Sequence, residues 1–322
     1  MDLIEKRKLE HVENALNDYT EGTGAGWDCV RLPYYALPEA DYSAMDCSVK
    51  FLGKKLSLPF MVTAITGGWQ GGRKINLDLA RACEECGVAF GLGSQRAMIE
   101  NPELAETFQV REVAPKAFIA GNIGAFQLKE YGPEKVAEAI DAIEADALCV
   151  HLNPLQEVIQ PEGDKDWRGC LEAIEGACKQ LKKPVIAKEV GAGVNGKVAK
   201  ELVNAGVKAI DLAGKGGTSF AAIEAMRGGS NAFNDYGLST VGSLLECKGV
   251  GVPLIASGGV RNGVHAAKAL FLGATLAGAA RPFVKAQQKS GGHAAVSELI
   301  HSWGNELKTA LFLARMKHLK KN

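Results

Sequence analysis

The sequence predicts an α/β protein of the (β/α)8, or TIM, barrel class with an N-terminal extension, and three observations carry that prediction. Eight short apolar runs recur from residue 57 onward, each is followed by a segment of helix length, and the runs end in polar or glycine-rich turns. The runs are almost continuously apolar rather than alternating, as parallel strands covered on both faces are. Eight such repeats favour a closed barrel over an open doubly wound sheet.

In order, the strands read as PFMVTAI (59–65), VAFGLGS (88–94), AFIAGNIG (117–124), ALCVHLN (147–153), PVIAKEVG (184–191), AIDLAG (209–214), PLIASGG (253–259) and TLAGAA (275–280). Between them NLDLARACEEC (76–86), PEKVAEAIDAIEA (133–145, proline near its start) and RNGVHAAKALFLG (261–273, glycine at its end) read as helices. A last helix over about 294–318 places Val296, Leu299, Ile300, Trp303, Leu307 and Leu311 on one stripe that closes the barrel, and SGGH (290–293) reads as a loop. Residues 1–56 begin with an amphipathic helix and continue through a loop containing Gly22, Gly24 and Gly26. They are expected to form an extension folded over the barrel mouth, with 57–322 as the barrel and its C-terminal helix.

Composition narrows the function classes. Thirty-seven Lys and Arg balance 37 Asp and Glu in 322 residues, which argues against the protein-wide electrostatic footprint that nucleic acid or an anionic membrane requires. Any anionic ligand must be met locally. The chain has 38 glycines, well above the roughly 7 % of an average protein, but only 11 prolines, the composition of a globular domain with many tight turns. The opening MDLIEKRKLEHVENALN lacks an apolar signal core, and the run Ala269–Ala280 is far short of the about 18 residues of a membrane span, so a soluble cytoplasmic location is expected. Eight dispersed cysteines read as reduced, semi-buried small hydrophobes, and Cys83-x-x-Cys86 lies inside a helix rather than in a redox or zinc motif.

In such barrels the chemistry sits at the C-terminal ends of the strands. Here those ends carry Thr66-Gly67-Gly68, Ser94-Gln95-Arg96, Asn122, His151 and Asn153 followed by Gln156-Glu157, Lys188-Glu189, GKGGTS (214–219), Ser257-Gly258-Gly259 with Arg261, and Gly278-Ala279-Ala280-Arg281. Glycines concentrate after strands six to eight, where exposed backbone N–H groups suit a phosphate-bearing cofactor or substrate. GKGGTS has neither the order nor the spacing of a Walker A loop. Arg7, Lys8 and His11 lie three or four residues apart, on a shared helix face, and with Arg96 form candidate cationic clusters for a second anion. A lone histidine in an apolar strand is ordinarily a core residue, but His151 stands at the catalytic end beside an acid. Glu157 has no neighbouring ligand cluster. One carboxylate plus substrate phosphate oxygens is a normal way to hold Mg²⁺, whereas zinc is not expected. Trp69, just after ThrGlyGly, is a candidate pocket wall.

With these residues in place, the chain resembles the type 2, flavin-dependent isopentenyl diphosphate isomerases over nearly its whole length. The resemblance is carried by RKLEH (7–11), ITGG (65–68), GLGSQR (91–96), GNIGA (121–125), HLNPLQE (151–157), KEVG (188–191), DLAGKGGTS (211–219) and ASGGVRNG (256–263). HLNPLQE, GLGSQR and the N-terminal RKxxH are the specific elements, since many FMN barrels share the SGG and lysine features. The resemblance implies FMN, active in its reduced form, across the mouth. Ile65, Thr66, Gly67, Ser94, Asn122 and Lys188 would line its ring, and Thr218, Gly258, Gly259, Val260, Ala279 and Ala280 would hold its phosphate. A prenyl diphosphate substrate would meet Arg7, Lys8, His11, Ser94, Gln95, Arg96, Asn153 and Gln156, with Mg²⁺ on Glu157. His151, Gln156 and Glu224 are the candidates for orientation or proton relay. NAD(P)H as reductant and a homo-oligomer, tetramer or octamer, are further implications. The sequence departs from the family at Ile65, where Met is common, and over Asn234–Thr240, with Ser239 where Pro is usual. A 2-hydroxy acid oxidase would need a His-Gly-x-Arg motif, and no histidine here precedes glycine. An inosine monophosphate dehydrogenase-like enzyme would need a loop cysteine, and none ends a strand. A non-catalytic flavin-binding barrel would bind the chromophore without turnover.

Overall fold

Eight parallel strands close on themselves in the computed structural model, which describes residue 10, residues 12–64 and residues 66–316. An antiparallel hairpin, β1 (Val49–Phe51) and β2 (Lys54–Leu56), precedes them. The barrel strands are β3 (Phe60–Val62), β4 (Ala89–Gly91), β5 (Ile119–Gly124), β6 (Ala147–Leu152), β7 (Val185–Glu189), β8 (Ala209–Asp211), β9 (Leu254–Ser257) and β10 (Leu276–Ala279). Each pairs with the next in the chain, and β10 returns to β3. Every strand lies inside a run expected from the sequence but is shorter, mostly because the last residues of a run leave the ladder to form the turn; β5 instead begins two residues late and keeps its end at Gly124.

Successive side chains of a strand point to opposite faces, so each barrel strand sends alternate residues inward. Met61, Ala89, Ala120, Cys149, Ile186, Ala209, Ile255 and Leu276 make a small apolar core at the N-terminal side of the barrel. Two residues further along β5 to β9 the same rows carry Asn122, His151, Lys188, Asp211 and Ser257. The interior is therefore apolar at one end and polar at the other. The larger core lies between the strands and the surrounding helices.

The apolar end is plugged by the hairpin. Val49 and Phe51 alternate with exposed Lys50, and the buried face of this pair, with Leu56, joins the inner core. The Phe51 ring meets Phe118 edge-on, with centroids 5.2 Å apart. Lys54 Nζ donates to the Lys116 and Ala117 carbonyls at 3.2 and 3.0 Å and pairs with Asp146 at 2.8 Å. The expectation that residues 1–56 fold over the mouth thus meets a divided arrangement, since an amphipathic hairpin buries its apolar face best under the apolar end. Residues 20–25 do lie against the mouth loops: the Ser219, Gly22 and Val241 amides donate to the Thr20, Gly217 and Ala25 carbonyls at 2.9, 2.7 and 3.0 Å.

Helix boundaries differ locally from the sequence reading. The helix expected from 76 starts at Gln70 (Gln70–Cys86), and that expected from 133 continues Ala125–Ala142 across a break at Gly132, φ 78°, where Pro133 removes an amide donor. Gly263–Leu272 is capped by the Asn262 side chain and ended by left-handed Gly273. The closing helix, His293–Leu313, buries Val296, Ile300, Trp303, Leu307 and Leu311, and stops short of 318 where Arg315 turns to φ 54°. Only Gly291 and Gly292 of the SGGH segment form the connection. Ser239, at the family's usual proline, caps Thr240–Cys247 by accepting from the Gly242 amide at 3.0 Å.

Candidate active site

The polar end of the interior opens into a cavity of about 520 Å³, within the range of roughly 300–1,000 Å³ typical of small-molecule sites. Thr66, Ser94 and Arg96 reach it from the turns after β3 and β4, and Asn122, His151, Asn153, Gln156 and Glu157 from β5, β6 and the helix Pro154–Ile159. Lys188 enters from β7. Thr218, Gly258, Gly259, Val260, Ala279 and Ala280 close the opposite side. Ile65, Arg7, Lys8 and His11 lie outside the described residues.

The β6 side is a continuous polar network. His151 Nδ1 lies 2.8 Å from Asn122 Oδ1, an acceptor that favours a proton on Nδ1. Asn153 Nδ2 donates to Glu157 Oε1 at 2.8 Å and to Gln156 Oε1 at 3.3 Å, while Glu157 Oε2 accepts from the Asp164 amide at 2.9 Å. Gln156 Nε2 reaches Glu224 Oε1 at 3.1 Å. Pro154, with no N–H to leave unsatisfied, starts the short helix that presents Gln156 and Glu157 together.

Lys188 is held from below and beside. Its Nζ donates to the Glu189 carbonyl at 2.8 Å and stands 3.3 Å from Asp211 Oδ2, and Asp211 Oδ1 accepts from Ser257. Asp211 is 1 % exposed, so this cation is part of a buried ion pair under the cavity floor. The neighbouring Glu189 points away and binds its own loop, accepting from the Val190, Gly191, Ala192 and Gly193 amides at 2.5–3.1 Å. Burial pushes this carboxyl up to about 7, against the pull of those amides and of Lys188.

At the glycine-rich side, Gly258 and Gly259 have φ of 103° and 71°, and an added Cβ would sit 2.1 Å from the Gly214 oxygen and 2.6 Å from that of Gly216. Only glycine permits that packing and that backbone. Arg261 pins the loops together, donating to Glu21, Gly22, Gly216 and Gly259. Arg281 begins the helix Arg281–Ser290, whose N-terminus has no side-chain cap. Its Nη2 meets Asp18 and Glu21 at 3.0 and 3.3 Å, whereas Nε and Nη1 are buried without a hydrogen-bond partner among the described residues. The helix itself offers little, since Pro282 has no N–H and the Phe283 and Val284 amides donate to the Ala280 carbonyl at 3.1 and 3.2 Å, so the buried Arg281 donors on the cavity wall are the candidate anion seat.

Some expected residues are placed differently. Gln95 does not line the cavity: its side chain is buried, donating to the Gly93 carbonyl at 2.8 Å and accepting from the Asn122 amide, so it braces β4 against β5. Gly67 backs onto Phe108, and Trp69 turns its ring over Gly71 and Gly72 while donating to Thr66 Oγ1 at 2.9 Å, so neither forms the wall. Glu224, with no exposed surface, stands behind Gln156. The cavity also takes in Gln127, Phe220, Arg281, Lys285 and, from the N-terminal segment, Val12 and Leu16. Arg281 was visible in the sequence as the residue after the last strand. Gln127, Phe220 and Val12 lie on helices, where strand-end logic does not look.

Comparison with known proteins agrees with this geometry. The model of the FMN-dependent dehydrogenase family matches residues 157–321. A protein of Halobacterium salinarum is 47 % identical over 322 aligned residues, covering 96 % of this chain and 89 % of the relative. Relatives from Archaeoglobus fulgidus and Pyrococcus furiosus are 44 % and 43 % identical, each over 98 % of this chain and 93 % and 84 % of their own lengths. All three bear the name isopentenyl-diphosphate delta-isomerase. Among solved structures, a mutant flavocytochrome b2 with benzoylformate superposes with a TM-score of 0.71 at 20 % identity, covering 97 % of this chain and 81 % of that one. A putative lactate oxidase of Pediococcus acidilactici gives 0.68 at 18 %, covering 98 % and 92 %; at these identities the likeness concerns the fold alone. Near-full-length relatives of 43–47 % identity, together with the flavin-barrel match, place the chain in the isopentenyl-diphosphate delta-isomerase family, to which it belongs in the type 2, FMN-dependent form.

Proposed function

We propose that this protein interconverts isopentenyl diphosphate and dimethylallyl diphosphate by a 1,3-allylic proton shift, with reduced FMN, NAD(P)H as reductant and Mg²⁺ on the diphosphate. The observation that carries the reading is one cavity lined by two unlike sets of polar groups. A glycine and Arg281 cradle lies on one side, and Arg96 with the Asn153, Gln156 and Glu157 cluster on the other.

The residues present fit FMN. The close-packed Gly258 and Gly259 turn and the unpartnered Arg281 nitrogens suit its phosphate, with Thr218, Val260, Ala279 and Ala280 beside them. Ile65, Thr66, Ser94, Asn122 and Lys188 would hold its ring, with Gly67 behind them against Phe108. Bound and reduced, FMN would supply an electron-rich ring able to stabilise the positive charge that develops as the alkene gains a proton.

The chain supplies the rest. Adding a proton at one end of the allylic unit and removing one at the other involves no net redox change, so the site must donate, accept and exclude water. His151, with Nδ1 beside Asn122 Oδ1, and Gln156 backed by Glu224 orient or relay that proton. Val12, Leu16, Phe220 and Val284 line the cavity with apolar surface that keeps water from trapping a cation-like state. Arg96 and Ser94, with Arg7, Lys8 and His11, bind the diphosphate; Gln95 supports this wall from behind. Glu157 would hold Mg²⁺, since one carboxylate together with substrate phosphate oxygens is a normal way to bind that ion. The same reading makes the protein a cytoplasmic homo-oligomer, which size-exclusion chromatography tests.

The deciding experiment incubates the purified protein with isopentenyl diphosphate, FMN, Mg²⁺ and NADPH or dithionite. Dimethylallyl diphosphate is the expected product. Its absence under reducing conditions, with FMN bound, overturns the reading.

A further inference from the structure

We propose that Arg227, which does not reach the cavity, is a positioning residue that dictates which end of the Gln156 amide faces Asn153, and through Asn153 the orientation of Glu157; the proposal rests on the isomerase reading. One guanidinium gathers carboxylates from three separate segments. Nη1 meets Glu224 Oε2 at 2.6 Å, Nη2 meets Glu162 Oε1 at 2.9 Å, and Nε lies 3.6 Å from Glu10 Oε2. Glu224 has no exposed surface, and a buried carboxylate requires such a counter-charge.

The consequence follows from hydrogen-bond polarity. An ionised carboxylate only accepts, so Glu224 Oε1 must face the NH₂ end of the Gln156 amide, as it does at 3.1 Å. The oxygen end is then turned toward Asn153, whose own NH₂ group serves both Gln156 Oε1 and Glu157 Oε1. A hydrogen-bond chain of fixed polarity therefore links Arg227 through Glu224, Gln156 and Asn153 to Glu157, the candidate magnesium ligand, with Glu224 accepting from both neighbours and Asn153 donating to both. Without the guanidinium, a protonated Glu224 can donate instead. The Gln156 amide is then free to invert, turning its NH₂ end toward the Asn153 NH₂ group, so that Asn153 is pushed from the position in which it donates to Glu157 Oε1. The Glu162 and Glu10 contacts sit outside this chain and anchor the loop after Pro154–Ile159 and the N-terminal segment.

The test compares full-length, FMN-loaded wild type with Arg227→Met, Arg227→Lys and Glu162→Gln. Arg227→Met is expected to raise the half-saturating Mg²⁺ concentration and the KM for isopentenyl diphosphate about tenfold or more, the usual effect of removing a group that orients a metal ligand. FMN affinity should stay unchanged, Arg227→Lys should recover part of the loss, and Glu162→Gln should match wild type. Lowered thermal stability or FMN retention with unaltered Mg²⁺ dependence overturns the proposal, since that is what a merely structural arginine produces. If Arg227→Met does not fold, the near-isosteric Glu224→Gln must show the same Mg²⁺ shift, and normal Mg²⁺ dependence in that variant overturns the proposal. Mn²⁺ binding in the presence of inorganic diphosphate, followed by electron paramagnetic resonance, reads the same shift without turnover. A wild type that makes no product therefore removes the isomerase reading, while equal Mn²⁺ affinity in wild type and Arg227→Met removes this one.

Discussion

At the closed end of the barrel Asp146 accepts from Lys54, Arg111 and the Ile119 amide, and at the open end Glu189 accepts from four amides of its own loop. Burial opposes ionisation at both. At Asp146 the two cations and the amide overcome it and hold the carboxyl below the usual range, whereas at Glu189 burial prevails and the carboxyl rises to about 7. The closed end is internally matched, charge for charge and apolar face for apolar face. The open end keeps polar groups whose partners are incomplete among the described residues, Arg281 most plainly. The comparison predicts that changes at the closed end alter stability and leave ligand chemistry intact, and that changes at the open end do the reverse.

The largest expected effect breaks the plug. Phe51 is fully buried against Phe118, so Phe51→Ala leaves a cavity beneath the barrel and should cost about 3–5 kcal/mol of unfolding free energy. Urea denaturation measures the loss. The fraction that remains folded should keep its KM for isopentenyl diphosphate, and a changed KM would mean that the two ends communicate.

The counterpart at the mouth is Glu157→Gln. Its side chain is nearly isosteric and keeps an oxygen for the Asn153 and Asp164 donors, so the thermal midpoint should move little. Activity should fall about a hundredfold, equivalent to about 2.7 kcal/mol of transition-state stabilisation, with the Mg²⁺ requirement lost in parallel. Steady-state kinetics across a Mg²⁺ titration checks this; retained Mg²⁺-dependent turnover would remove Glu157 from its role.

These two residues also show what the sequence made legible. The eight strands were readable because a parallel barrel strand is apolar on both faces, and Glu157 was readable because site residues gather at strand ends. Phe51 was not assigned a place, since VKF and KKL are too short to register as a hairpin and nothing in their composition says which end of a barrel they cover. Gln95 shows the opposite limit. It sits between two cavity-facing residues, Ser94 and Arg96, yet its amide satisfies backbone groups of β4 and β5, a choice set by tertiary hydrogen bonding that spacing does not encode. Arg227 was likewise hidden, because its partners Glu10, Glu162 and Glu224 are drawn from separate segments and meet only once the barrel closes.

A smaller effect is expected from Asp146→Asn, which weakens the charge-assisted bonds tying the hairpin to the barrel and should cost about 1–3 kcal/mol at neutral pH. The Asp146 carboxyl lies below its ordinary value when folded, so its contribution is present above about pH 4 and is lost as the pH falls through the lower folded value. Acid unfolding of the wild type should therefore begin at the plug, and Asp146→Asn should flatten the acid limb of the stability profile. Chemical denaturation between about pH 2 and pH 5 measures it; an unchanged acid limb would show that the cluster is solvated rather than structural.

Glu189→Gln should have the smallest effect, of the order of 1 kcal/mol, because glutamine retains a side-chain oxygen for some of the same amides. Its pH signature runs the other way. Because the folded carboxyl is raised to about 7, the folded protein binds this proton more tightly than the unfolded chain does. That stabilising contribution is complete below about pH 4.3, the unfolded value, and is lost as the pH rises toward 7. The variant, having no proton to lose, should flatten the stability profile between about pH 4.5 and pH 7 while leaving the limb below pH 4 untouched. Denaturant midpoints of Glu189→Gln and Asp146→Asn across both windows separate the two ends of the barrel. If Glu189→Gln leaves the upper window as steep as in wild type, the four loop amides rather than burial govern this carboxyl, and the open end is as fully matched as the closed one.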